Sequence, residues 1–161
     1  MAYFKYLTTR GFNIANHQGL GTGPLLYYDI PHEDAPSAWI LNAGTTAAWT
    51  DVSFKNYVPN KVKALDLNYC LIFTGNGSYD YCIAYLRKNG SSSTSFNTYV
   101  LYVAHPNCPT GTDAYEYQHI PAMPCDDYGV IEYYAYGASG ARGAATLYLN
   151  IRGYWILAED V

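Results

Sequence analysis

Residues 38–73, AWILNAGTTAAWTDVSFKNYVPNKVKALDLNYCLIF, decide the fold. From residue 62 to 73 Leu65, Leu67, Tyr69, Leu71 and Phe73 share one face, while Lys63, Asp66 and Asn68 fall outside it. Side chains of an extended chain alternate between faces, so this pattern predicts a strand with one side in a core. The Trp-containing approach and the Val58-Pro59 corner lead into it. The segments downstream predict further strands. Residues 79–88 put Tyr79, Tyr81, Ile83 and Tyr85 on one side, residues 96–104 follow a serine-rich turn, and residues 130–136 carry several tyrosines. Residues 145–157 alternate Leu147, Leu149, Ile151, Trp155 and Leu157 against Thr146, Asn150 and Arg152. The two longest strands are the first and last of this set, which predicts that they lie together at the centre.

Between strands the chain carries turn chemistry: TGNGS, NGSSSTS, HPNCPTG and GASGARG. Residues 115–120 form a short strand in this scheme, and Pro121 and Pro124 end it. If residues 74–78 close a hairpin, Cys70 and Cys82 fall on neighbouring strands nearly opposite one another, and a shifted two-residue turn puts Leu71 there instead. Short strands with Gly/Pro turns and no long amphipathic helix predict an all-β fold, an antiparallel β-sandwich or jelly roll. Residues 1–37 contain two short strand-like pieces, 3–7 and 25–30, separated by loop chemistry, and keep neither the period of a helix nor that of a strand. They form an extended N-terminal arm and linker ordered by a neighbour or by the outside of the main domain, leaving 38–161 as the sandwich.

Composition narrows function. Of 161 residues 14% are charged and 19 are tyrosine, with a formal net charge of −4. A surface so poor in charge needs another covering, and tyrosine supplies an apolar body with a hydroxyl tip that suits a subunit interface or a sugar ring. Residues 89–141 contain no Lys or Arg, which argues against nucleic acid and anionic membrane as partners. No apolar run spans a bilayer, and the first residues lack the apolar centre of a signal peptide, so synthesis in a reducing cytoplasm is expected. There the four cysteines, 70, 82, 108 and 125, are buried thiols; whether Cys70 bonds Cys82 or Cys108 bonds Cys125 stays open.

No catalytic constellation stands out, so no enzyme activity is expected. GLGTG at 19–23 lacks the strand and helix of a phosphate cradle. His105, Cys108, His119 and Cys125 have the donor types of a zinc site without its tight paired spacing. His32-Glu33-Asp34 and Asp126-Asp127 suit a solvated linker and a turn. Glu116 and Glu132 have the chemistry of a glycosidase pair only if the sheet brings them together. Neither a cofactor nor a metal is expected. The positive feature is the set Tyr115, Tyr117, Tyr128, Tyr133, Tyr134 and Tyr136, available to stack on sugar rings or to meet copies of itself, or to fill a core.

Trp49-Thr-Asp-Val-Ser-Phe54, Tyr57-Val58-Pro59, Leu86-Arg87-Lys88-Asn89-Gly90-Ser91 and Arg152-Gly153-Tyr154-Trp155-Ile156 together resemble small β-sandwich domains of tailed-phage virion proteins, such as tail-fibre tips and capsid-decorating head fibres. The resemblance covers residues 38–157. It implies a jelly-roll-like sandwich, a homo-oligomer with a trimer favoured, contact with other virion proteins, and adhesion or capsid reinforcement on the virion surface. The four cysteines and the long 105–127 segment depart from that pattern. A carbohydrate-binding module that uses a Tyr-rich loop at 115–136 is the alternative.

Overall fold

The computed structural model describes residues 25–31, 36–43, 46, 48–75, 80–92, 99–105, 109–137 and 146–161. The glycine segment 19–23, the acidic segment 32–34, Cys108 and the turn at 76–79 lie outside the described residues. Among the described residues there are nine strands: β1 Leu25–Asp29, β2 Leu41–Ala43, β3 Thr50–Ser53, β4 Val62–Thr74, β5 Asp80–Lys88, β6 Tyr99–His105, β7 Asp113–Pro124, β8 Val130–Gly137 and β9 Thr146–Leu157. One sheet has the order β1-β9-β4-β7, with β2 also on β9, and the other has the order β3-β8-β5-β6. All pairings are antiparallel.

The pairs β5·β6, β4·β7, β3·β8 and β2·β9 are nested, as if one long hairpin had been rolled across two layers. That is jelly-roll connectivity, with β1 as an added strand. Every described connection except β1 to β2 and β5 to β6 passes from one sheet to the other. The expected hairpin between β4 and β5 is therefore absent. Cys70 sits between Tyr117 and Tyr148, and Cys82 between Val103 and Gly137, in different sheets. Cys70, Cys82 and Cys125 are buried free thiols.

The layers close on the apolar face predicted for β4. Leu65, Leu67, Leu71, Leu147 and Leu149 have no exposure and meet Phe54, Leu86, Ile131 and Ala135 from the other sheet. The long β4 and β9 do pair, along most of their lengths. Residues 25–29, the second strand-like piece of the segment read as the arm, form an edge strand of the sheet, in register from Leu25↔Leu157 to Asp29↔Gly153. The pairing lets Tyr28 stack on Tyr154 at 5.4 Å and Tyr27 pack on Trp155 at 5.0 Å. Strand β7 runs on past residue 120 to Pro124. As an edge strand it tolerates prolines, and a register shift in β4 between Leu65 and Leu67 absorbs the irregularity.

The β7–β8 turn is built by Asp126. Its Oδ1 accepts the Tyr128 and Val130 amides at 2.9 and 2.8 Å, and Gly129 takes the positive φ the turn requires. Lys63 reaches Asp127 at 2.8 Å, and that hydrogen bond holds the Asp127 carboxyl below its ordinary range.

Candidate interaction face

The outer surface of β3-β8-β5-β6 is built by residues that alternate with the core set. Cys82, Ala84 and Leu86 of β5 point inward, so Tyr81, Ile83 and Tyr85 point outward. On β8 Ile131, Tyr133 and Ala135 point inward and Glu132, Tyr134 and Tyr136 outward; on β6 Leu101 and Val103 point inward and Val100 and Tyr102 outward. Register then aligns two rows across the sheet, Tyr134–Tyr85–Val100 and Tyr136–Ile83–Tyr102.

Among the described residues the rings meet in two groups, one of four rings and one of two. Tyr85 lies 6.1 Å from Tyr136 and 6.4 Å from Tyr134, Tyr134 lies 5.8 Å from Tyr136, and Trp49 joins Tyr134 at 5.9 Å. Tyr81 and Tyr102 meet at 5.7 Å. A hydrogen bond with Tyr85, with burial secondary, keeps the Tyr136 phenol above its usual range. At one end Arg87 Nε bonds Glu132 Oε2 at 2.6 Å, and the guanidinium carbon lies 3.9 Å from the centre of the Trp49 ring. The charge pair is thus neutralised within the face and stacked on an aromatic ring. A neutral aromatic surface of this kind suits stacking against another surface, and among the described residues it presents no nucleophile beside a base.

The tyrosines singled out from sequence separate into four places. Tyr134 and Tyr136 belong to this face. Tyr133, only 4% exposed, faces the core. Tyr128 is exposed in the β7–β8 turn, and Tyr115 and Tyr117 form an exposed edge-to-face pair at 5.5 Å on β7, on the outside of the other sheet. Much of 115–136 is strand rather than loop, so the six do not form one loop cluster. Tyr81, Ile83 and Tyr85 were read from sequence as one face of a strand but not as part of a site, and Trp49, Val100 and Tyr102 were not read as part of one either; for the first three the alternation of β5 carried the signal, because its small and apolar members, Cys82, Ala84 and Leu86, fit the space between layers.

The outside of the other sheet holds a polar row that crosses four strands. Asp66 on β4 is 6% exposed. Its Oδ2 accepts the Tyr27 hydroxyl of β1 at 2.7 Å, and its Oδ1 is hydrogen-bonded to His119 Nε2 of β7. The phenol passes over Gly153 of β9, where an added Cβ would meet the Tyr27 hydroxyl and stand 2.6 Å from the Tyr28 carbonyl oxygen. Burial first, and the Asp66 carboxylate second, hold the Tyr27 phenol far above its ordinary range. Trp155 and Leu157, read from sequence as core-face residues of β9, lie instead beside this row, because a register shift after Ile151 turns the end of the strand over; Trp155 packs at the small Ala64 and donates its indole N–H to the Pro121 carbonyl at 2.8 Å. Every oxygen of Asp66 thus has a partner, as a buried carboxylate requires.

His119 lies on that outer surface and Cys125 in the core, so these two do not converge on a metal. Among the described residues no cluster of three His, Cys, Asp or Glu forms a metal-binding group. Glu116 lies on β7 and Glu132 on β8, in different sheets, and Glu132 is held by Arg87.

No protein-family model matches the chain, and no curated protein matches it. Among solved structures the chain is similar to one in the structure of infectious bursal disease virus Gx strain, at 17% identity and a TM-score of 0.33, over 85% of this chain and 34% of that one. A chain in the structure of the Gt strain of the same virus has 14% identity and a TM-score of 0.33, over 100% of this chain and 43% of that one. The chain therefore spans less than half the length of either, and nothing is carried over from them to it.

Proposed function

We propose that this chain is a non-enzymatic structural protein of a virion, of the capsid-decorating or tail-fibre kind found on tailed phages. It assembles with copies of itself, as a trimer, and its N-terminal arm attaches it to other virion proteins. The observation that supports this most is the neutral aromatic face of β3-β8-β5-β6. Such a face gives up little hydration when it is covered, whereas an ordinary solvated face of Lys and Glu gives up a great deal. The sequence resemblance to phage sandwich domains and the jelly-roll connectivity point the same way, since a rolled two-layer sandwich stacks readily into symmetric arrays.

The test is the mass of the full chain by sedimentation, with and without Tyr85→Ser and Tyr136→Ser together. An oligomer that dissociates in the variant while its circular dichroism is unchanged supports the proposal. A wild-type monomer at high concentration refutes it. The exposed Tyr115–Tyr117 pair favours a second reading, a carbohydrate-binding module, because adjacent exposed rings suit a pyranose face. A glycan array separates the two: strong binding by a monomer selects the module.

A further inference from the structure

On the outer surface of β1-β9-β4-β7, rings stand next to polar groups. Cross-strand register sets two neighbouring rows there, Tyr117–Cys70–Tyr148 and His119–Asn68–Asn150, and neither contains Asp, Glu, Lys or Arg. The Tyr117 hydroxyl is hydrogen-bonded to the Cys70 side chain, so the ring leans from β7 across β4 over a small residue that is only 1% exposed. Tyr117 itself is 61% exposed, and Tyr115, its edge-to-face neighbour, is 63% exposed. The first row is thus a stacking platform with its outer side open.

The second row supplies directed hydrogen-bonding groups. A carboxylate oxygen only accepts, so in the bond to Asp66 it is His119 Nε2–H that donates. A neutral imidazole carries one N–H, and Nδ1 is then left as an acceptor. The His119 side chain is 41% exposed, and among the described residues Nδ1 has no partner. Next to it the half-buried Asn68 makes no side-chain hydrogen bond among the described residues, and its amide offers both donors and an acceptor. The costly burial of Asp66 on an outer face therefore has a result at the surface, a histidine held in one orientation with its acceptor outward.

From this pairing of rows we infer that the β4–β7 surface binds a neutral glycan, with one pyranose stacked on Tyr117 and its hydroxyls bonded to His119 Nδ1 and the Asn68 amide. Outward residues two apart on a strand are separated by about 7 Å, which brings the polar row within reach of the hydroxyls at the rim of a sugar seated on the ring. An anionic ligand finds no cation on these two rows. An apolar protein surface laid here would bury the imidazole and amide groups unpaired, at about 1–3 kcal/mol each, whereas a sugar satisfies both. The inference rests on the carbohydrate-binding reading above, for which it names the site, and it leaves the aromatic face of the other sheet available for self-association.

The test is binding of the full chain to an array of neutral hexasaccharides of glucose, galactose, mannose and N-acetylglucosamine, with sialylated hexasaccharides for comparison, followed by titration calorimetry with the strongest neutral binder. Tyr117→Ala is expected to weaken that binding at least about tenfold and Asn68→Ala about fivefold, with circular dichroism unchanged. Tyr128→Ser removes a ring of similar exposure, 62%, away from the patch and should change nothing. Neutral-glycan binding that survives both Tyr117→Ala and Asn68→Ala overturns this site while the carbohydrate reading stands. Binding confined to the sialylated probes overturns the neutral class, and binding to none of the probes overturns both the site and the carbohydrate reading.

Discussion

Gly153→Ala is expected to destabilise the fold through Tyr27, although neither residue belongs to the main core. The added methyl group would collide with the Tyr27 hydroxyl and with the Tyr28 carbonyl oxygen 2.6 Å away. Overpacking of this sort costs about 1–3 kcal/mol. Moving the phenol aside also breaks its 2.7 Å bond to Asp66, and a hydrogen bond to a buried charged group is worth about 1.5–3 kcal/mol. The total for Gly153→Ala is then about 2.5–6 kcal/mol. Tyr27→Phe removes only the second part and should cost about 1.5–3 kcal/mol. In the double variant the hydroxyl is already gone, so the glycine substitution breaks no bond and meets one atom fewer, and the coupling between the two sites is at least the lost bond. Urea unfolding followed by tryptophan fluorescence measures all four species. Strict additivity, or a Gly153→Ala cost below about 0.5 kcal/mol, the level expected of an ordinary surface change, would refute the clamp.

Leu67→Ala should cost about 2–5 kcal/mol in the same assay, because Leu67 is fully buried between the layers. Arg87→Ala should cost roughly 3 kcal/mol, since it leaves the mostly buried Glu132 without its partner and uncovers Trp49; Glu132→Gln should cost less. Burial pushes the Cys82 and Cys125 thiols and the Tyr69 phenol up to about 12, from 9.0 and 10.0. Each is held neutral in the fold and ionises more readily once unfolded. The stability they contribute is therefore intact below about pH 9 for the thiols and pH 10 for the phenol, and is lost as pH rises toward 12. Unfolding midpoints at pH 8 and pH 11 check this, and a thiol reagent at pH 8 should leave Cys70, Cys82 and Cys125 unmodified until urea is added. Deletion through residue 37 should destabilise the sandwich by removing β1 and Tyr27, whereas deletion through residue 24 keeps that strand.

The core faces of β4 and of β9 as far as Ile151 were legible because alternation over many residues leaves one consistent solution, whereas the register shift after Ile151, which turns Trp155 and Leu157 away from the main core, leaves no mark in the sequence. The three- and four-residue β2 and β3 were not, since so short a segment contains at most two members of each face. Loop chemistry after Thr74 marks a reversal correctly but carries no information about which layer the chain enters next, and so a layer crossing passed for a hairpin. Prolines appeared to stop a strand at residue 120 because edge position, which excuses them, is a property of the assembled sheet. Asp66 looked solvent-facing for a related reason: its partners Tyr27 and His119 lie 39 and 53 residues away in the chain. Tyr133 and Tyr134 are adjacent, identical and oppositely placed, and only the buried neighbours Ile131 and Ala135 reveal which of the two points inward.

The nesting of the strand pairs also bears on the order of events as the chain emerges from a ribosome. Strand β4 lies between β7 and β9, and residues 75–145 must be made before its second neighbour exists. Until then one flank of the longest greasy strand waits uncovered, and closure depends on joining distant parts of the chain, the slowest kind of folding step. A nascent chain stalled before residue 146 should therefore be a ready client for chaperones, whereas twelve residues more would let the roll shut.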